Sequence, residues 1–72
     1  MKLKKKHIVL FSGEFICAEF CIYHNMKKKE LFAAINNWIP RTKKLSAKSL
    51  VKYINSKGVH VAMTKKQYKK LN

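Results

Sequence analysis

Cys17, Cys21 and His24 are the side chains best suited to covalent or metal chemistry, and they stand at i, i+4 and i+7. On a continuous helix all three would share one face and could offer a metal three ligands, with His7 or His60 as a fourth. Structural zinc sites, however, draw on closely spaced ligand pairs such as C-x-x-C from two chain segments, and no such pair is present. A thiol–imidazole nucleophile would need an activating environment. For acid–base work the chain offers only Glu14, Glu19 and Glu30, and it has no aspartate. With two glycines in all, there is no Gly-rich phosphate loop. The two cysteines read as small buried hydrophobes. The expectation is a chain without catalysis, bound metal or cofactor.

The cations are more informative. Seventeen Lys and Arg against three acids leave a net charge of +14, and nothing acidic follows Glu30. Such a balance attracts polyanions. Arg41 is the sole arginine, so phosphate contact is favoured over bidentate reading of guanine. Lys27, Lys28 and Lys29 crowd the start of an expected helix, where their charge opposes the macrodipole unless an anion compensates it. Along that helix Lys29, Ala33 and Asn36 face outward, flanked by Lys28, Phe32 and Asn37. Lys can meet phosphate, Asn can pair with adenine, and Ala or Phe can touch a thymine methyl group. Arg41, Lys43 and Lys44 follow in a loop placed to grip a sugar–phosphate backbone. Lys48, Lys52 and Asn55 form one face of the third helix, and Lys65 to Lys70 add another basic patch. Phe32, Tyr53, Tyr23 and Tyr68 interleave with lysine, as in proteins that stack single-stranded bases.

Seventy-two residues that are 47% hydrophobic suit one small packed domain, residues 1–72, with the basic residues 1–6 as a flexible start. Leu31, Ala34, Ile35 and Trp38 make the inward stripe of a helix over Lys27–Trp38. Ser46 caps a further helix in which Ala47, Leu50, Val51 and Ile54 recur on one face, and Gly58 provides its left-handed terminus. Val59–Met63 alternates like a half-buried strand with its odd positions inward. Thr64 and Gln67 form a capping box opening a short helix, Lys65–Leu71. His7–Phe11 reads as a strand, and Ser12-Gly13 as a hairpin turn or, alternatively, as the cap of a helix from Glu14.

The run Ile16-Cys-Ala-Glu-Phe-Cys-Ile-Tyr-His-Asn-Met-Lys-Lys-Lys-Glu-Leu-Phe-Ala-Ala-Ile35 is similar to the helix-turn-helix of excisionase-like and MerR-like bacterial and phage regulators. In that resemblance Cys17 caps a short first helix, Cys21 is its small central residue, and Asn25 makes the turn. Met26 anchors the entry to the recognition helix, whose buried positions are Leu31 and Ile35. With the other elements, sequence order and hydrophobicity give an expected α+β, winged-helix-like domain, with the helix-turn-helix and a third helix packed on a short sheet from the His7 and Val59 strands. The resemblance implies a DNA-binding regulator or excisionase-like factor of a phage or mobile element, binding duplex DNA or, second, a single strand. With no signal-peptide pattern in the sequence, the expected compartment is the cytoplasm. The alternative is an accessory subunit held by a larger replication or recombination protein. A cationic membrane-active peptide is a remote third reading, disfavoured by the caps and turns. No segment reaches a membrane-spanning length, and no membrane partner is expected.

Overall fold

The computed structural model describes residues 3–71 and has an α+β architecture, with one three-stranded antiparallel sheet and three α-helices. In chain order the elements are β1 (Lys4–Ser12), β2 (Phe15–His24), α1 (Lys28–Trp38), a 3-10 turn (Ile39–Arg41), α2 (Ala47–Ser56), β3 (Ala62–Thr64) and α3 (Lys65–Leu71). The sheet order is β1-β2-β3, so β2 is central and β1 is an edge.

The α+β class is as expected, but the arrangement within it differs. Residues 15–24 form a strand, so the first helix of the expected helix-turn-helix, capped at Cys17, is absent and α1 follows a strand. Aromatic and β-branched side chains at Phe15, Ile16, Phe20, Ile22 and Tyr23 favour an extended backbone. Alternation then places Phe20, Ile22 and His24 together on one face. The hairpin turn is real and lies at Gly13-Glu14, between the paired residues Ser12 and Phe15. Gly13 has φ +64° at the first central position, as a type II′ connection requires. The register slips between Leu10 and Phe11, leaving Cys17 as the extra residue of a bulge.

The expected pairing of the His7 strand with the Val59 strand does not occur. β1 pairs only with β2, and the short β3 pairs with the other edge of β2 through Ile22↔Thr64, Tyr23↔Met63 and His24↔Ala62. The inward residue there is Ala62, whereas Val59 is largely exposed. Asn55 decides this: its Nδ2 donates to the Ala62 carbonyl and its Oδ1 accepts the Ala62 N–H, both at 2.9 Å. Lys4–Lys6, expected to be flexible, are the first three residues of β1.

The core forms between the sheet and α1 and α2, from Ile8 and Ile22 through Leu31, Ile35 and Trp38 to Leu50, Val51 and Ile54. α3 packs against β2 and β3, with Tyr68 stacked on Tyr23 at a centroid distance of 3.9 Å. The expected caps of α2 and α3 are present: Ser46 Oγ accepts from Ser49 N–H, and Thr64 and Gln67 bond reciprocally. Trp38 lies at the junction of the helices, its Nε1–H donating to Ser49 Oγ at 3.1 Å. Ser49 Oγ lies 2.8 Å from Thr42 Oγ1, which in turn donates to the Lys44 carbonyl.

Truncating Ser49 to alanine strands the indole N–H of a side chain that is only 2% exposed. A loss of about 1–3 kcal/mol is expected. At roughly 4–8 °C per kcal/mol for a domain of this size, the variant should melt visibly earlier in a circular dichroism scan. An unchanged melting temperature would mean that the indole finds another acceptor.

Candidate nucleic-acid interface

The direction of α1 is set by the three residues before it. His24 is buried at the end of β2, and its Nδ1 accepts the Met26 N–H at 3.0 Å. That bond leaves the other ring nitrogen to carry the proton of the neutral imidazole. Asn25 N–H donates to the Val61 carbonyl, and Asn25 Oδ1 accepts the Val61 N–H. Lys27 N–H donates to Glu30 Oε1 at 2.9 Å, closing the first turn of α1. This bond is the main reason the Glu30 carboxyl titrates below its ordinary range. Glu30 also lies 3.2 Å from His60, on the flank of α1 turned toward α2.

The opposite flank of α1 faces the edge strand β1. Between them lie two adjoining hollows that share Lys6, Phe32 and Ile35 as walls. One is walled further by Lys4, Lys5, Lys28 and His24, the other by His7 to Leu10, Asn36 and Ile39. None of these residues is acidic. Glu19 is held by His7 at 2.8 Å, Glu30 lies on the other side of α1, and Glu14 sits in the hairpin turn. Phe32 is 51% exposed, and Lys28 Nζ lies 5.9 Å from its ring centroid. The groove thus offers four lysines and an open aromatic face with no competing carboxylate.

Of the candidates named from the sequence, Lys28, Phe32 and Asn36 are brought together in this groove. Lys29 and Ala33 are exposed on the outward face of α1 beside it. Lys27 is the N-cap residue of α1 and is exposed. Arg41, Lys43 and Lys44 are exposed in the connection from α1 to α2 and line neither hollow. Lys4, Lys5 and Lys6 were missed as site residues. The hint was that their basic run leads directly into the apolar β-type run His7–Phe11, so a strand could begin earlier. Asn55 is structural, its amide being fully engaged by Ala62. Among the aromatics, Tyr23 and Tyr68 stack on each other and Tyr53 is partly buried, leaving Phe32 as the open ring in the groove.

The Cys17–Cys21–His24 constellation does not form. On a strand Cys21 and His24 point to opposite faces, and Cys17 occupies the bulge with its Sγ near the Leu10 carbonyl. Among the described residues no cluster of His, Cys, Asp or Glu could hold a metal, and no helix is long and apolar enough to cross a membrane. The chain matches no protein-family model, and no curated protein or solved structure shows significant similarity to it.

Burial, followed by the fields of Lys4 and Lys6, holds the His24 pKa below its ordinary 6.5. Below about pH 6.5 the unfolded histidine therefore binds protons that the folded one resists. The stability His24 contributes is complete above that pH and is lost as pH falls below it. Urea midpoints should thus drop between pH 7 and pH 5. His24→Asn keeps an acceptor for the Met26 N–H but cannot titrate, and should flatten this dependence. Equal slopes in the two proteins would exclude His24 as the source.

Proposed function

We propose that this protein binds nucleic acid, holding a sugar–phosphate backbone along the groove between β1 and α1. The observation that carries this reading is the acid-free wall formed by Lys4, Lys5, Lys6 and Lys28 around the exposed ring of Phe32. Lysines supply salt-sensitive contact with phosphate, and an open aromatic ring stacks on a base whatever its identity. A concave groove of this kind suits a single strand, because a duplex is too wide to enter it.

A second reading is favoured by the convex side of the same helix. α1 exposes Lys29 and Ala33 along an element roughly 16 Å long, a size a major groove accepts. Duplex DNA would then be read from the outward face, with Arg41, Lys43 and Lys44 beyond its C-terminal end.

Fluorescence anisotropy with a labelled single strand and the matching duplex, over a salt series, tests both. Lys4→Ala, Lys6→Ala and Lys28→Ala combined should reduce the salt slope on a single strand by roughly 2, at about 0.7 per phosphate contact. Phe32→Ala should weaken binding by roughly 1–3 kcal/mol with the slope retained. Lys29→Ala should act mainly on duplex binding if the outward face is the reader. If the groove variants bind as the unaltered protein does while Lys65→Ala with Lys66→Ala loses affinity, the groove assignment is wrong.

A further inference from the structure

The far end of the β1–β2 hairpin differs from the rest of the surface. From His7 to Met26 there is no lysine or arginine, although the chain holds 17 elsewhere. The same stretch carries Glu14 and Glu19, two of the three carboxylates. At its end Phe11, Phe15 and Ile16 are 64%, 79% and 57% exposed. Phe11 and Ile16 are cross-strand partners on one face of the tip, Phe15 lies on the other face, and every residue from 11 to 17 is exposed. Three large apolar side chains exposed around one hairpin tip of a small protein mark a contact surface rather than scattered exposure.

We propose that this hairpin tip is a self-association surface that joins two copies of the chain tip to tip. Charge selects the occupant. Two molecules of net charge +14 repel each other over most of their surfaces. The tip is the place where they can meet without opposing lysines. Lys6, the last cation of β1, lies five residues before Phe11, roughly 17 Å along the strand and about two Debye lengths at physiological salt. At that separation the lysines neither oppose a tip contact strongly nor help the tip engage phosphate. A lipid headgroup or a nucleic acid would meet Glu14 there instead.

The shape of the molecule supports the same occupant. Nine-residue β1 spans roughly 30 Å, more than the two short extents of 22 and 21 Å, so the hairpin runs along the 37 Å axis. An isologous two-fold contact at the tips therefore leaves the Lys4–Lys6 ends of the two copies apart. At their exposures the three apolar side chains offer roughly 400 Å² per copy, about half of a standard interface. A dimer resting on so small an interface is weak. The inference stands whether or not the β1–α1 groove binds nucleic acid.

Sedimentation velocity from 10 µM to 1 mM, at 50 and 500 mM salt, tests it. A reducing agent is needed because Cys17 is exposed. The expected result is a monomer–dimer equilibrium that salt strengthens, since screening removes repulsion between the bodies and spares an apolar contact. Phe15→Ser combined with Ile16→Ser should be monomeric throughout, with an unchanged thermal melt. A protein monomeric at 1 mM in high salt overturns the proposal, as does a double variant that dimerises equally well. So does a dimer dissolved by salt, which would join oppositely charged faces. Vesicles of phosphatidylserine that bind the unaltered chain but not the double variant would make the tip a membrane contact and overturn it too.

Discussion

The packing of Trp38 is the constraint on which the rest of the structure depends. Its ring meets Phe20 of β2 edge-on at 6.3 Å, and its indole N–H is held by Ser49 of α2. Its carbonyl accepts the Thr42 N–H that closes the Pro40-containing turn after α1. A tryptophan buried with its one polar atom bonded is fixed in position and in rotation together. Because Trp38 shares a face with Leu31 and Ile35, locking it sets the rotation of the whole of α1. That rotation turns Lys28, Phe32 and Asn36 toward β1 and Glu30 toward His60 and α2. The groove is thus a consequence of how one aromatic side chain is seated.

The distribution of charge follows from the same frame. Glu19 is engaged by His7 on the hairpin, and Glu30 by the Lys27 N–H and His60 at the start of α1. Glu14 is left in the turn. None is spent on the lysines that wall the groove, so their field is directed at whatever enters it. A folded chain carrying +14 bears a repulsive term that a polyanion relieves. The cation-free hairpin tip is the counterpart of this arrangement. The molecule has a lysine-walled groove beside the start of β1 and, at the hairpin tip, a stretch without cations.

Much of the helical structure was determined by the sequence alone, because its determinants are local. Ser46 bonds three residues ahead, Thr64 and Gln67 bond each other, and Leu31, Ile35 and Trp38 define a face within three turns. Such interactions are complete within a few residues, so they can be read before the fold is known. Absence of metal-ligand spacing and the excess of lysine are likewise properties of the chain itself.

What the tertiary structure decided was every feature that needs a distant partner. Residues 15–24 carry cysteines, alanine and a glutamate that a helix accepts, and only pairing with β1 on one edge and β3 on the other makes them the central strand. Once extended, they separate Cys21 from His24 and remove the helix-turn-helix that the same letters resemble. Lys4–Lys6 wall the groove because β1 is an edge strand beside α1, more than twenty residues away along the chain. Asn55 became structural because Ala62 needed a hydrogen-bond partner. Strand pairing and edge placement arise from which segments find one another in space, and side-chain spacing along a single chain does not encode that.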